Sequence, residues 1–329
     1  MSSATSVDTP APGRRFDLVA YLKLFRFPLV FTAIADSATG YLLGSNRFNA
    51  SAMAWLALAS AGLYCFGMSL NDIADLEKDK SGAPGKVLPS GRISPSAAKI
   101  ACAIPLAVSL GALLMAEGSE RVARLIFWGA AVFFIGAYDL FLKIPPAMGL
   151  VRASNLLMGL FVSQDLDIVR SHLHSVIACA VPTFVYITAL TYVSTQEDGA
   201  PNRARILTGA GFMVFAAGLA AFVFPLSESL RFRDTLNPVE HWGYTSSNMI
   251  WWRPVPFTAP LSCWILYRAW KAVDRKGVML LVRDGIGGII FLDAALSCVF
   301  GTGDYAIPWV IASLVLPAII SVAIFKKLA

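Results

Sequence analysis

Long apolar blocks alternate with short polar connections along this chain. The most uniform blocks cover residues 51–70, 100–115, 125–142, 206–225 and 306–325. Each block approaches the roughly 20 apolar residues that a helix needs to cross a bilayer core. Because the blocks are continuously apolar and do not alternate in polarity, they favour helices over barrel strands. With less uniform segments included, the ten predicted spans are residues 19–44, 51–70, 99–117, 122–142, 147–165, 173–194, 206–226, 254–272, 279–300 and 306–325.

The composition agrees with a protein embedded in a lipid bilayer. Of 329 residues, 57% are hydrophobic and 15% are charged, and the mean hydropathy is +0.64. A soluble domain carries about 25% charged residues, which solvate its surface. We therefore predict an all-α protein, a polytopic bundle of membrane helices. Residues 16–329 are expected to form one transmembrane domain, and residues 1–15, rich in Ser, Thr and Pro, a disordered tail.

Lys and Arg residues predict the orientation in the membrane. If the N-terminus is cytoplasmic, most of the 27 basic residues fall in connections on the cytoplasmic side, where an excess of Lys and Arg is the rule. We therefore expect both termini in the cytoplasm, and the inner membrane as the location if the protein is bacterial. The same excess explains the net charge of +6, and no basic, aromatic surface indicates a nucleic acid partner.

An acidic cluster follows the second predicted span. If that helix continues out of the membrane, Asp72, Asp75 and Asp79 stand at positions i, i+3 and i+7 of one face, with Asn71 beside Asp75. Like charges on one face are tolerated when a cation lies between them, and hard oxygen ligands of this kind suit Mg²⁺. The alternative interpretation is an ordinary solvated loop. A basic stretch at residues 86–94 favours the first interpretation, a diphosphate site with Mg²⁺.

The run from Asn71 to Asp79, followed by Leu88-Pro-Ser-Gly-Arg-Ile-Ser94, resembles the first aspartate-rich signature of the UbiA superfamily. This superfamily consists of helical membrane enzymes that move a prenyl chain from its diphosphate to an acceptor, often an aromatic one. The resemblance implies nine transmembrane helices, so the tenth predicted span would be additional. It also implies an isoprenyl diphosphate donor and Mg²⁺ as the cofactor. The metal ligands that it implies are Asn71, Asp72, Asp75 and Asp79, with Glu197 in support.

Other residues match the family's pattern over roughly residues 22–200. Tyr138 and Lys143 look like its Tyr…Lys pair in the next cytoplasmic connection. Arg152 and Asn155, one helical turn apart, look like polar residues that face the central cavity. The resemblance thus implies catalytic roles for Asp72, Asp75, Tyr138 and Lys143. The further residues expected to bind substrate are Arg26, Lys86, Arg92, Arg152, Asn155, Glu197 and Asp198.

The chain departs from the family's pattern at the second aspartate-rich motif. After the sixth predicted span, Glu197 and Asp198 are the only acidic residues in place of a longer acidic motif. This reduced motif weakens the case for a second metal ion. In this respect the sequence is similar to the EboC-like branch of the superfamily. Two further acids, Asp36 and Asp293, lie near the middle of predicted spans, where charges usually face a cavity. Either they contact the substrate, with Asp36 as a proton acceptor, or they form a structural pair with neighbouring Ser, Thr or Arg side chains.

These residues are compatible with different functions. Prenyl transfer to a small or lipid acceptor in the membrane is the leading hypothesis. An intramembrane terpene cyclase would use the same ionisation step, with the chain's own double bond as the nucleophile. A non-catalytic protein that binds or transports an isoprenoid would explain the reduced second motif.

Overall fold

In the computed structural model, the described residues are 17–44, 49–118, 120–163, 173–197, 199–226, 253–300 and 306–328. They form helices and, over these ranges, no strand, which confirms the all-α class. The α-helices are α1 (Leu18–Leu24), α2 (Val30–Gly44), α3 (Ala50–Ala74), α4 (Leu76–Gly82), α5 (Pro95–Met115), α6 (Arg121–Ala137), α7 (Pro145–Ser163), α8 (Leu173–Ser194), α9 (Arg203–Leu226), α10 (Val255–Lys271), α11 (Arg275–Phe300), α12 (Ala306–Ser313) and α13 (Val315–Leu328).

Each predicted span coincides with helix over its described residues, although two of the spans are interrupted. The first consists of α1 and α2, which meet at an angle of 48°. The last consists of the short helices α12 and α13. Among the described helices, six are long and apolar enough to cross a membrane, and the bent pair would make a seventh. The membrane bundle is therefore confirmed, while the number of ten crossings stays a prediction.

Large apolar side chains on the outside of the bundle agree with a lipid environment. Phe133, Phe212, Phe215 and Trp309 are between 54% and 67% exposed. Large apolar side chains exposed in this number are unusual on a soluble monomer and are expected on a surface that faces lipid. Inside the bundle, the largest cluster of buried apolar residues joins α2, α7, α8, α9, α10 and α11. The functional residues described below lie on the inner faces of several of these helices.

The acidic segment, residues 71–79, is divided between two helices, whereas the spacing of its aspartates predicted a single helix. Helix α3 continues past the apolar region and ends at Ala74, so that Asn71 and Asp72 lie on its last turn. Asp75 caps α3 with φ −87° and ψ 3°, and α4 begins directly after it. Asp79 therefore belongs to a second helix. The three aspartates still lie close in sequence, but each of them can point to a different partner.

Helices α2 and α7 touch through their backbones at two glycines. A Cβ atom added to Gly40 would lie 1.8 Å from the Leu156 carbonyl oxygen, and one added to Gly159 would lie 2.0 Å from the Ser37 carbonyl oxygen. Small residues at membrane helix interfaces allow backbones to approach in this way. The contact brings the inner polar residues of α2 and α7 together.

We expect Gly159→Ala to separate α2 from α7 and to lower the free energy of unfolding by about 1–3 kcal/mol, the usual range for overpacking. The measurement is the thermal unfolding midpoint of the purified protein in detergent. The matched control is Gly211→Ala on α9, where an added Cβ would meet nothing within 4 Å. Because Ala favours helix more than Gly does, the control should melt at or above the wild-type temperature. Equal midpoints for Gly159→Ala and the wild type would contradict the close contact.

Candidate active site

A cavity of about 440 Å³ lies between α2, α3, α6, α7, α8 and α11. Most of its wall is apolar, with side chains such as Leu63, Met148, Ile187 and Ile289. The polar residues of the wall lie in two places. One is at the helix ends next to the acidic segment, and the other is near the middle of the helices. The polar end of the cavity contains Arg26, Asn71, Tyr138, Asp139 and Glu197, and the inner end contains Ser60, Arg152 and Asn155.

The aspartates of the acidic segment are each paired with a cation from another part of the chain. The ion pairs are Asp72 with Arg26 at 3.3 Å, Asp75 with Lys143, and Asp79 with Lys86 at 2.7 Å. The carboxylates are largely shielded, whereas the side chains of the three cations are 41–44% exposed. The structure thus brings together the acids and most of the cations predicted from the sequence. It does so as separate pairs, and within the described ranges no three His, Cys, Asp or Glu side chains stand close enough to hold a metal ion.

Arg26 and Lys143 have an unusual backbone conformation. Their φ angles are 45° and 40°, and in the described part of the chain no other residue except glycine has a positive φ. Arg26 lies at the bend between α1 and a 3₁₀ turn at Phe27–Leu29. Lys143 ends a π-helical turn at Tyr138–Leu142, which continues α6. Left-handed conformations are unfavourable for such residues and tend to occur at functional sites, and here both strained residues hold an aspartate of the acidic segment.

Asp139 was not singled out in the sequence analysis. It lies in the π-helical turn, is 7% exposed, and accepts a hydrogen bond of 2.9 Å from the Asn71 side-chain amide. Unlike Asp72, Asp75 and Asp79, it lines the cavity directly. A π-helical turn inserts an extra residue into a helix and is common at functional sites. The available signal was an acid at the end of an apolar span, where burial of a charge is unfavourable.

Arg92 lies apart from the other predicted cations. Its guanidinium donates to the Asp17 carboxylate at 2.7 and 3.0 Å, at the start of α1, and it does not line the cavity. The Ala20 backbone amide, followed by the Arg92 guanidinium, lowers the pKa of Asp17 below its usual value. Glu197 lines the polar end of the cavity from a 3₁₀ turn after α8. Asp198 lies outside the described residues.

The inner end is a network of buried polar groups. Arg152 forms an ion pair of 2.6 Å with Asp36, whose side chain is fully buried. The Asn155 amide donates to the Ala33 carbonyl at 2.8 Å and to the Asp36 carboxylate at 3.4 Å. Ser60 in turn donates to the Asn155 side-chain oxygen at 2.9 Å. The network holds α2, α3 and α7 together around one carboxylate, as expected for a charge deep in a membrane protein.

Asp293 belongs to the same network. It is 0% exposed on α11, and its carboxyl contacts that of Asp36 without a well-aligned hydrogen bond. Its backbone carbonyl accepts from the Thr39 hydroxyl at 3.3 Å. Neither Asp36 nor Asp293 lines the cavity, since Arg152 and Asn155 stand in front of them. Of the two interpretations of Asp36 and Asp293, this arrangement favours the structural pair over direct contact with the substrate. The role of Asp36 as proton acceptor stays a prediction.

Known proteins share this fold and part of this sequence. Over 83 residues the chain is 42% identical to digeranylgeranylglyceryl phosphate synthase of Methanococcus aeolicus, a match that spans 24% of this chain and 29% of that relative. A solved structure from a study of digeranylgeranylglyceryl phosphate synthase in membranes has a TM-score of 0.56 at 19% identity, covering 86% of this chain and 98% of that one. A UbiA homologue from Archaeoglobus fulgidus, bound to GPP and Mg²⁺, has a TM-score of 0.55 at 15% identity, covering 84% and 99%.

At these low identities the structural neighbours show the fold alone, and the curated relative is matched over less than a third of its length. The family itself is shown by a longer match. The model of the UbiA prenyltransferase family covers residues 29–279, more than half of the chain. The chain therefore belongs to the UbiA prenyltransferase family, which confirms the family and, at the level of the family, the enzyme class predicted from the acidic segment.

Proposed function

We propose that this protein transfers a prenyl group from an isoprenyl diphosphate to an acceptor within the membrane, with Mg²⁺ as cofactor. The observation that carries the proposal is the polar end of the cavity, which Arg26, Asn71, Asp139 and Glu197 line beside apolar walls. The ion pairs Asp72–Arg26 and Asp75–Lys143 join this end to the acidic segment. The family and the digeranylgeranylglyceryl phosphate synthases among the relatives support the reaction class. The Archaeoglobus homologues bound to GPP or DMAPP with Mg²⁺ support the donor and the metal.

The polar end has the ligands that Mg²⁺ prefers. Asn71, Asp72 and Asp75 would hold the ion, with Asp79 or Glu197 in support. Mg²⁺ is commonly held by one or two carboxylates together with substrate phosphates, so three converging carboxylates are not needed. Each aspartate already accommodates a positive charge in the form of its Arg or Lys partner. When bound, the ion would offset the charge of the diphosphate as it leaves.

The paired cations supply the remaining positive charge. Arg26 and Lys143 are 44% exposed at their side chains and adjoin the cavity or its lining residues. With a diphosphate and its metal bound, Asp72 and Asp75 would hold the metal, and Arg26 and Lys143 would be released to bind the phosphate oxygens. Charge stabilisation at the departing oxygens is usually the largest contribution to catalysis of this type. We assign this role to Arg26, Lys86 and Lys143, because their partners are the proposed metal ligands, whereas Arg92 pairs with Asp17 outside the acidic segment.

The cavity walls control what reacts with the ionised donor. Apolar side chains hold the isoprenoid tail and keep water away from the allylic carbon. The bond from this carbon to the diphosphate oxygen breaks, and its electron pair leaves with the diphosphate. An acceptor placed between Tyr138 and Arg152 forms the new bond with the allylic carbon through its own electron pair, and its proton passes to the departing diphosphate. Asp36 reaches the acceptor only through Arg152 and Asn155, so we propose that it positions these two residues.

The test is the release of labelled diphosphate from geranyl, farnesyl and longer prenyl diphosphates by the purified protein in lipid nanodiscs. We expect release with Mg²⁺, no release with EDTA, and recovery when Mg²⁺ is restored. Product analysis with and without added acceptors then separates transfer from cyclisation. Absence of release in Mg²⁺ with every donor and every acceptor tried would refute the proposed reaction.

A further inference from the structure

Arg152 presents one unused side of its guanidinium to the cavity. The residue is 7% exposed and lines the inner end. Its Nε atom pairs with Asp36 at 2.6 Å, and its Nη2 atom donates to the Thr32 carbonyl oxygen at 2.7 Å. The Nη1 atom has no acceptor in the described part of the chain and is not enclosed by protein. The guanidinium is thus fixed from behind, and its remaining donors point to whatever fills the cavity.

Tyr64 is a second donor that lines the same cavity as Arg152. It lies on α3, lines the cavity, and is close enough to Arg26 and Arg152 to interact electrostatically with both. Its hydroxyl has no hydrogen-bond partner among the described residues. A hydroxyl that faces a cavity and has no protein partner is available to a ligand or to water. The inner end therefore offers two free donors on neighbouring helices to a group that carries oxygen lone pairs.

The charge of Arg152 is already offset. Asp36 pairs with it directly, and Asp293 contacts Asp36, so one guanidinium faces two buried carboxyl groups. With Asp36 ionised as the partner of Arg152, these three groups carry a net charge of zero or less in either protonation state of Asp293. An anion placed at the inner end would lose its hydration and gain no net attraction in return. An uncharged oxygen, by contrast, needs only the two donors.

We propose that the inner end of the cavity binds an uncharged oxygen of the acceptor, a hydroxyl or a carbonyl group, through Arg152 and Tyr64. The proposal rests on the proposed prenyl transfer in so far as this ligand is called an acceptor. It excludes acceptors whose carboxylate or phosphate would lie at Arg152. Such an uncharged oxygen is present both in a small aromatic hydroxyl compound and in the hydroxyl group of a neutral lipid. The experiment below compares these two ligands.

The first experiment uses wild-type protein in nanodiscs and two matched pairs of probes. The aromatic pair is 1-naphthol and 1-naphthoate, and the lipid pair is 1-oleoylglycerol and its 3-phosphate. In each pair that binds, we expect the neutral probe to bind at least about tenfold more tightly in equilibrium titrations. Which pair binds identifies an aromatic or a lipid source. Equal or tighter binding of the anionic probe, or no binding of any probe, would overturn the proposal.

Variants then locate the binding site. Tyr64→Phe should weaken binding of the preferred neutral probe by about threefold to tenfold, the effect of one hydrogen bond. Tyr267→Phe, on the exposed surface of α10, is the matched control and should bind like the wild type. Asp36→Asn removes one negative charge from the cluster of Arg152, Asp36 and Asp293, and it should therefore shift the preference towards the anionic probe. Unchanged affinity in Tyr64→Phe would place the probe elsewhere and overturn the assignment, even if Asp36→Asn fails to fold.

A separate titration distinguishes this inference from the proposed function. Farnesyl thiolodiphosphate with Mg²⁺ reports on the polar end, and its affinity should be the same in Tyr64→Phe and in the wild type. If this donor analogue does not bind but the neutral probe does, the proposed prenyl transfer is wrong, whereas the proposed binding site at Arg152 and Tyr64 is retained. If the donor analogue binds and the neutral probe does not, the transfer remains and the inference is wrong.

Discussion

Asp75→Asn is expected to lower the rate of Mg²⁺-dependent diphosphate release by about 10³-fold. The amide has the volume of the carboxylate but no negative charge, so it can neither hold the metal well nor keep its ion pair with Lys143. Asp72→Asn should have a similar effect, because it removes the partner of Arg26. The measurement is single-turnover release of labelled diphosphate from geranyl diphosphate at saturating protein, over a range of Mg²⁺ concentrations.

The matched control for both aspartates is Glu77→Gln. Glu77 belongs to the same acidic segment, but its side chain is 82% exposed and its partner is Lys80 at 2.7 Å. An exposed ion pair of this kind contributes little to stability, and neither residue lines the cavity. We expect the control to release diphosphate at the wild-type rate. If Asp72→Asn and Asp75→Asn both do the same, the assignment of the metal site is wrong.

Lys143→Gly is the second large effect that we expect. Removal of the ammonium group should lower diphosphate release by about 10²–10³-fold, because the departing oxygens lose a positioned cation. Lys143 has a φ of 40°, a conformation that glycine adopts without strain, whereas other residues lose about 1–2 kcal/mol in it. The ion pair with Asp75 involves a half-exposed Lys side chain and contributes little to stability, so the thermal midpoint should not fall below that of the wild type. Activity is thus expected to fall without a loss of stability.

Two comparisons separate charge from backbone strain at this position. Lys143→Gln keeps a long side chain in the strained conformation, and it should lose activity without a gain in stability. Lys80→Gln removes an exposed Lys that pairs with Glu77, and it should leave release unchanged. Full release by Lys143→Gly would show that this side chain acts only on the structure of the apo protein, as the partner of Asp75.

Much of the fold follows from local properties of the chain. Continuously apolar blocks of about 20 residues can satisfy their backbone hydrogen bonds in a bilayer only as helices or closed barrels. Caps such as Asn49 and Ser94, each of which accepts a hydrogen bond from a first-turn amide, then set where helices begin. The break at Asp75 was not foreseen, because the spacing of the three aspartates suits one continuous helix. The spacing does not indicate that Asp79 lies on a separate helix, α4, and pairs with Lys86.

The acidic segment was recognisable for a similar reason, since its residue types and their spacing are short-range features. Its partners are long-range contacts. Arg26 and Lys143 are separated from Asp72 and Asp75 by many residues, and only the bend before α2 and the π-helical turn after α6 bring them together. Asp139 was overlooked because its hydrogen bond to Asn71 depends on that same turn. Conversely, Arg92 was expected near the diphosphate on sequence proximity, and the fold pairs it with Asp17.

The class of protein, the family and the acidic segment of the site can be predicted from the amino-acid sequence. These depend on hydrophobicity and on residue types at short spacings, which are properties of the chain before it folds. The folded structure was needed to show which cation pairs with which aspartate, which acid lines the cavity, and that Asp36 and Asp293 lie behind Arg152. The glycine contact between α2 and α7 joins residues more than a hundred positions apart. The interaction energy of two charges in a low-dielectric interior depends on the distance between them, and the packing of the helices sets that distance.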